Sequence, residues 1–155
     1  RVRSLWRLRR PWESCGSRGA RGHLPPEVFE LLELELNSPE TQNTLSEKMI
    51  GELQQALDEL QQGPSKVIIL SSTGKVFSAG HDLRELKSAR SQSDQGHAYF
   101  QKILKLCSTM MQSIVNHPKP VIAQVEGVAT AAGCQLALSC DLVYASSHSV
   151  FATPG

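Results

Sequence analysis

The sequence lacks a long apolar run and has few cysteines. No segment approaches the roughly 20 consecutive apolar residues that a membrane-spanning helix needs, so no membrane span is expected. The four cysteines, Cys15, Cys107, Cys134 and Cys140, lie far apart and show neither the spacing of a metal site nor that of a disulfide framework. We therefore expect no bound metal, and we interpret Cys134 and Cys140 as buried thiols of a reducing compartment.

Basic residues are also scarce, except at the start of the chain. Residues 1–22 contain seven arginines and a single acid, Glu13, which leaves nine basic and fourteen acidic residues in the rest of the chain. That remainder offers no basic face for nucleic acid. The Arg-rich head resembles a mitochondrial transit peptide, and a disordered extension is the alternative. We assign residues 1–27 to this head and residues 28–155 to a folded domain.

Strand patterns alternate with helix patterns through the folded part. The helices expected are one from about Leu45 that stops at Gly63-Pro64, a short one over Asp82–Ala89, an amphipathic one over Ala98–Val115, and an apolar one over Ala131–Cys140. The strands expected are Val28–Leu36, Val67–Leu70, Val121–Val125 and Leu142–Ala145. Such alternation predicts an α/β domain with parallel strands.

Two segments share a strand, a turn of small residues and then a helix. They are Lys66–Leu83, called the first corner below, and Lys119–Asp141, called the second corner. In parallel sheets a ligand sits at the carboxyl ends of the strands, where both corners are expected. Small residues let the backbone approach a ligand, and a helix start leaves N–H groups unpaired. Two such corners could supply two converging N–H donors for a developing oxyanion.

The two corners and the first helix resemble the crotonase, or enoyl-CoA hydratase/isomerase, superfamily over Val28 to Gly155. The family's first motif, Ala-Gly-x-Asp-Leu, is matched by Ala79, Gly80, His81, Asp82 and Leu83. Its second motif and its N-terminal signature are matched by Gly127, Ala129, Gly133, Cys140 and Asp141, and by Leu36, Asn43, Leu45, Ser46 and Met49. The resemblance implies a crotonase (ClpP-like) spiral of ββα units. Family members continue well beyond Gly155, so we expect the domain to be incomplete at its C-terminus.

The resemblance also implies where an acyl-CoA thioester would bind. By position, the backbone N–H groups of His81 and Ala132 are the two oxyanion-hole donors, and the substrate-binding residues are the first motif together with Ala131, Ala132 and Gly133. Ala131 and Ala132 replace two family glycines. A methyl group is tolerated there if φ is negative, as a helix start prefers, so we expect a narrowed hole. Alternatively, the two alanines only improve helix packing and acyl-CoA binding is lost.

The two catalytic carboxylates of the family hydratases are absent. Gln135 and Gly155 occupy their positions. Gln135 can position a water molecule but cannot accept its proton, and Gly155 can do neither. General acid–base catalysis worth about 10²–10⁴ per group would be lost, so standard hydratase activity is not expected. The substitutions, together with Ser-x-Gly-His-Asp-Leu and Phe-Ala-Thr-Pro-Gly, resemble one mitochondrial branch of the family.

Three polar side chains near these motifs have competing interpretations. Asp82 stands at a helix start, where an N-cap explains it better than catalysis, and Asp141 is likewise interpreted as structural. The His81 imidazole could act as acid or base if it points into the site, whereas a solvent-facing side chain is the alternative.

We therefore expect a crotonase-fold protein of mitochondrial acyl-CoA or fatty acid metabolism, located in the matrix. Its ligand would be a coenzyme A thioester, without a further cofactor, and the full-length domain would form a homotrimer. One alternative is an active isomerase or acyl-CoA hydrolase that uses a substitute residue such as His81. Another is a non-enzymatic regulatory or scaffold module. RNA binding is disfavoured because the first helix carries a single lysine, Lys48.

Overall fold

The structure, a computed structural model, describes the backbone of Trp6–Arg9 and residues 31–154. Its strands are β1 (Trp6–Arg9), β2 (Leu31–Leu36), β3 (Val67–Ser72), β4 (Val76–Ser78), β5 (Val121–Val125), β6 (Val128–Thr130), β7 (Leu142–Ala145) and β8 (Val150–Ala152). Its helices are α1 (Glu47–Gln61), α2 (Leu83–Ala89), α3 (His97–Val115) and α4 (Ala132–Leu138), and Pro39–Thr41 forms a 3-10 turn.

The strands form two sheets. The larger has the order β1-β2-β3-β5-β7 and the smaller the order β4-β6-β8. Only the β1–β2 pair is antiparallel among the described strands, and the other neighbours are parallel. From β3 onward, consecutive strands form the pairs β3–β4, β5–β6 and β7–β8, each of which places one strand in each sheet, and helices follow the first two pairs. The expected α/β spiral of ββα units is confirmed.

The helix boundaries follow local signals. Ser46 caps α1 by accepting a hydrogen bond from the Met49 N–H at 3.2 Å, and the helix ends just before Gly63-Pro64. The apolar stripe of α1 packs with α3 and the larger sheet into one core. No helix within the described ranges is both long and apolar enough to cross a membrane.

The smaller sheet corrects the expected pattern. Only turns are expected before the two small-residue bends, but β4 and β6 lie there and pair in parallel. Strands of three residues are too short to show alternation, which explains why the sequence pattern misses them. Strand β1 lies within the segment expected to be a transit peptide or disordered extension, and the rest of that segment is outside the described residues. The leader stays a prediction.

Candidate functional site

The first corner follows β4 and fixes the direction of one backbone donor. The Leu45 N–H donates to the Gly80 carbonyl at 2.8 Å. A planar trans peptide points its C=O and N–H in opposite directions, so this bond turns the His81 N–H away from Leu45. Between residues 31 and 154 the His81 N–H finds no acceptor.

The second corner follows β6 and fixes another donor in the same way. The Ala131 carbonyl accepts the Gln135 N–H at 3.1 Å in the first turn of α4. The Ala132 N–H therefore points out of the helix start, as the first N–H groups of any helix do. It too has no hydrogen-bond partner in the described part of the chain.

Two glycines allow the corners to meet. A Cβ added to Gly80, whose φ is +84°, would lie 3.1 Å from the Ala132 nitrogen and 3.0 Å from the Ala131 Cβ. A Cβ on Gly133 would lie 2.3 Å from the Ser78 carbonyl oxygen, so α4 packs on the backbone at the end of β4. The segments that carry the His81 and Ala132 N–H groups are thus in direct contact.

Ala131 departs from the backbone conformation expected. Its φ is +50° and its ψ is −126°, so the expectation of negative φ at this position is wrong. The Ala131 N–H donates to the Ala152 carbonyl at 2.9 Å, which holds the residue in place between β8 and α4. A non-glycine residue in such a sparsely populated region stores about 1–3 kcal/mol of strain. The helix start comes one residue later, at Ala132.

Replacing Ala131 with glycine is expected to stabilise the protein by about 1 kcal/mol. Relief of the positive-φ strain outweighs the extra entropy that glycine loses on folding. Urea unfolding monitored by circular dichroism measures the change. The matched control is Ala132→Gly, one residue along in regular α4, which is expected to destabilise by about 0.5–1 kcal/mol. Equal destabilisation by both variants would contradict the strain at Ala131.

Asp82 serves as the N-cap of α2, as expected. Its Oδ1 accepts the Arg84 N–H at 2.9 Å, and its Oδ2 pairs with Arg84 Nη2 at 2.7 Å. Thr44 Oγ1 donates to the same carboxylate at 3.4 Å. The hydrogen bond from the Arg84 side chain, opposed by partial burial, lowers the pKa of Asp82 from its usual value. All carboxylate bonds observed here are therefore structural.

The lowered pKa of Asp82 predicts a pH dependence. A carboxylate whose pKa is lower in the folded state contributes stability above its unfolded pKa, about 4, and loses that contribution as the pH falls through the folded value. Asp82→Asn keeps the cap and removes the charge, so its stability should vary less with pH below about 4 than that of the native protein. Urea unfolding between about pH 2.5 and 7 tests this. The control is Asp58→Asn, at an exposed position of α1. An unchanged slope in Asp82→Asn would contradict it.

The predicted site residues are divided between two clefts. One, of about 280 Å³, is lined by Ala79, His81, Asp82 and Leu83 together with residues 40–42, Thr44 and Arg84. The other, of about 450 Å³, is lined by Ala131, Gln135, Leu138, Ser139, Thr153 and Pro154. Gly80 and Gly133 are buried between the corners, and Ala132 is half-buried. Gln135 is exposed in its cleft, whereas Gly155 lies outside the described residues.

The second cleft carries no ionisable side chain among the residues that line it. His81 lies instead in the first cleft and is half-buried, and its Nδ1 is buried without a hydrogen-bond partner in the part of the chain that the structure describes. Asp141 accepts the Val121 N–H at 2.8 Å and so joins the segment between α4 and β7 to β5, which agrees with its structural interpretation. No group of three His, Cys, Asp or Glu side chains in residues 31–154 could hold a metal ion.

Two polar residues that support the first corner have roles that the sequence does not reveal. The side chain of Asn43 is completely buried and hydrogen-bonded. Asn43 matches the family signature, but the sequence around it does not indicate this burial. Ser78 is buried as well, and its hydroxyl donates to the Asn43 carbonyl at 2.8 Å. A serine before Ala-Gly has the composition of an ordinary turn, so no sequence signal marks it.

Known proteins resemble this chain in sequence. The sequence model of the family described as enoyl-CoA hydratase/isomerase matches residues 29–155. The mouse protein named "Enoyl-CoA hydratase domain-containing protein 3, mitochondrial" is 41% identical over 97% of this chain and 53% of its own length. The human protein of that name is 48% identical over 77% of this chain and 38% of its own length.

A solved structure agrees with these matches. The crystal structure of human enoyl-CoA hydratase domain-containing protein 3 superimposes with a TM-score of 0.74 and 46% identity, covering 81% of this chain and 48% of that one. The chain thus spans about half the length of the relatives it matches, and the resemblance to that mitochondrial branch is confirmed. On the family match and these identities, the chain belongs to the enoyl-CoA hydratase/isomerase family.

Proposed function

We propose that this chain binds the acyl-CoA thioester in a crotonase-fold protein of mitochondrial acyl-CoA or fatty acid metabolism. The observation that carries the proposal is the pair of unpartnered N–H groups, on His81 and Ala132, at the contact between the two corners. A thioester carbonyl oxygen placed there would accept a hydrogen bond from each. The family relationship supplies the ligand class.

The chemistry follows from the two donors. Preorganised N–H groups stabilise the negative charge that develops on a carbonyl oxygen, and so favour an enolate-like state of the bound thioester. Hydration would further require proton transfer to and from water, which the amide of Gln135 does not perform. The neutral lining of the cleft around Gln135 supports a site that binds and polarises the thioester without standard hydratase activity.

Titration calorimetry with a series of C4–C16 acyl-CoA ligands tests the proposal. Acyl-CoA should bind, and the amide resonances of His81 and Ala132 should shift on binding. The matched ligand is an S-alkyl-CoA thioether of equal chain length, which lacks the carbonyl oxygen. It should bind about 5- to 150-fold more weakly, the value of two net hydrogen bonds of about 0.5–1.5 kcal/mol each. Absence of binding heat, or equal affinity for thioester and thioether, would reject the two-donor site.

A second candidate function is isomerase or hydrolase activity through a substitute residue. The buried Nδ1 of His81, which has no hydrogen-bond partner among the described residues, favours it, because the same residue carries the first N–H donor and an imidazole can act as acid or base. Turnover of crotonyl-CoA and dienoyl-CoA by the native chain and by His81→Ala discriminates the two functions. Activity that His81→Ala leaves unchanged would dismiss His81 as the substitute.

The cellular setting is inferred from the relatives. The mouse and human relatives described above carry "mitochondrial" in their names, so we assign the protein to mitochondria and propose the matrix as its location. A homotrimer is proposed for the full-length domain. Coenzyme A enters as part of the ligand, and no other cofactor is proposed.

A further inference from the structure

We infer that Asn43 is the positioning residue of the first oxyanion donor, an inference that rests on the proposed function. Asn43 lies in the loop between β2 and α1 and does not line either cleft that contains the predicted site residues. Its side chain acts through the loop backbone, which in turn holds the peptide that carries the His81 N–H.

The side chain of Asn43 uses both of its N–H donors and accepts one hydrogen bond in a buried position. Its Nδ2 donates to the Thr73 carbonyl at 2.9 Å and to the Val76 carbonyl at 2.8 Å, and its Oδ1 accepts the Ser38 N–H at 2.8 Å. The residue has no exposed surface. One amide group thereby joins the start of the loop to both sides of the turn between β3 and β4.

The backbone of Asn43 is in the left-handed region, with φ of +51°, directly after Gln42 at +58°. Asparagine is among the residues that tolerate this conformation. Two such residues in succession form a chain-reversing turn, which the Thr44 N–H closes by donating to the Thr41 carbonyl at 3.3 Å. The reversal brings the next segment, Thr44 and Leu45, alongside the first corner. The side-chain bonds and the backbone conformation of Asn43 therefore act on the same turn.

Three hydrogen bonds transmit this placement to the donor. The Ala79 N–H donates to the Gln42 carbonyl at 3.1 Å, the Ser78 hydroxyl donates to the Asn43 carbonyl at 2.8 Å, and the Leu45 N–H donates to the Gly80 carbonyl at 2.8 Å. The last bond sets the plane of the Gly80–His81 peptide and hence the direction of the His81 N–H. Loss of the Asn43 side chain removes the hydrogen bonds that hold this loop, and the loop supplies one partner of each of the three bonds.

The decisive variant is Asn43→Asp, which has the same shape but replaces both Nδ2 donors with an acceptor that faces two carbonyl oxygens. Asn43→Gly is a second variant that tolerates positive φ without any side chain. We expect both to bind a four-carbon acyl-CoA about five- to tenfold more weakly by calorimetry, under conditions where circular dichroism shows them folded. Leu57→Ala, a buried position on α1 away from the corner, is the control for lost stability alone.

The variants also allow a readout that does not depend on ligand. In folded Asn43→Asp and Asn43→Gly, the hydrogen exchange of the Leu45 amide should be faster than exchange through global unfolding alone would be. The His81 amide resonance should also shift. In Leu57→Ala, exchange at Leu45 should change only as far as global stability changes.

The outcomes separate the inference from the proposed function. Native affinity in the folded Asn43 variants, or an equal loss of affinity in Leu57→Ala at matched stability, overturns the positioning role. If the native chain binds no acyl-CoA, the proposed function fails, and the positioning role is then decided by the amides. Unchanged Leu45 exchange and an unshifted His81 resonance in the Asn43 variants would reject it.

Discussion

Replacing Gly133 with alanine is expected to destabilise the protein by about 3 kcal/mol, because the added Cβ would overlap backbone atoms in a packed interior. That Cβ would lie 2.3 Å from the Ser78 carbonyl oxygen and 2.7 Å from the Ser78 carbonyl carbon, so a rotamer change does not relieve the overlap. Helix α4 must move away from β4. The Ala132 N–H moves with it, so affinity for acyl-CoA should fall as well.

Gly51→Ala is the matched control for Gly133→Ala. Gly51 is also a helical glycine, in α1, and a Cβ added there meets nothing within 4 Å. This change should stabilise the protein by about 0.5–1 kcal/mol because alanine loses less backbone entropy in a helix. Urea unfolding compares the two variants with the native chain. Similar effects at both positions would show that the contact between α4 and β4 is looser than the structure indicates.

Gln135→Glu is expected to raise the hydration rate of crotonyl-CoA by about 10²-fold over the native chain, the lower end of what one positioned acid or base contributes. The change places an ionisable group in the cleft that Ala131, Thr153 and Pro154 also line. The amide and the carboxylate have nearly the same shape, so binding of the thioester should change little. Spectrophotometric loss of the enoyl thioester measures the rate.

The control for Gln135→Glu adds the same charge elsewhere. Gln124 is exposed on β5 and does not line the cleft around Gln135, so Gln124→Glu should leave the hydration rate at the native level. If both variants behave like the native chain while acyl-CoA still binds, the missing carboxylate at residue 135 is not what limits hydration. Equal gains in both would indicate an effect of net charge.

The strands β2, β3, β5 and β7 of the larger sheet and the helices were predictable from their apolar patterns, whereas β1 was not, because it lies within the segment expected to be a transit peptide or disordered extension. The continuous apolar run at Val67–Leu70 indicates a strand covered on both faces, and Val121–Val125 is also expected to be a strand. The structure has strands at both places. The helix signals at Ser46 and Asp82 also hold, since both side chains cap helices as expected. The three-residue strands β4, β6 and β8 were not predictable, because so short a segment is stabilised mainly by its neighbours in the sheet.

The site was predictable where it depends on residue type and not where it depends on long-range contacts. The loss of a carboxylate at residue 135 could be predicted from the residue type alone, because the amide of Gln135 differs chemically from a carboxylate. The positive φ of Ala131 depends on a hydrogen bond to Ala152, 21 residues later in the chain, and no local pattern reveals it. The role of Asn43 depends likewise on Thr73 and Val76, which are 30 and 33 residues away.

The recurring pairs of strands resemble the stacked repeats of a solenoid protein, and this arrangement bears on how stability is distributed in the domain. The pairs β3–β4, β5–β6 and β7–β8 stack in chain order, and each contributes the next strand to both sheets. Stability in such a stack is close to a sum of nearest-neighbour coupling energies. His81 follows the first pair and Ala132 follows the second, so the two N–H groups proposed as donors lie on the two sides of a single interface between adjacent repeats. The geometry of the site is therefore governed by that one coupling energy more than by the stability of the domain as a whole.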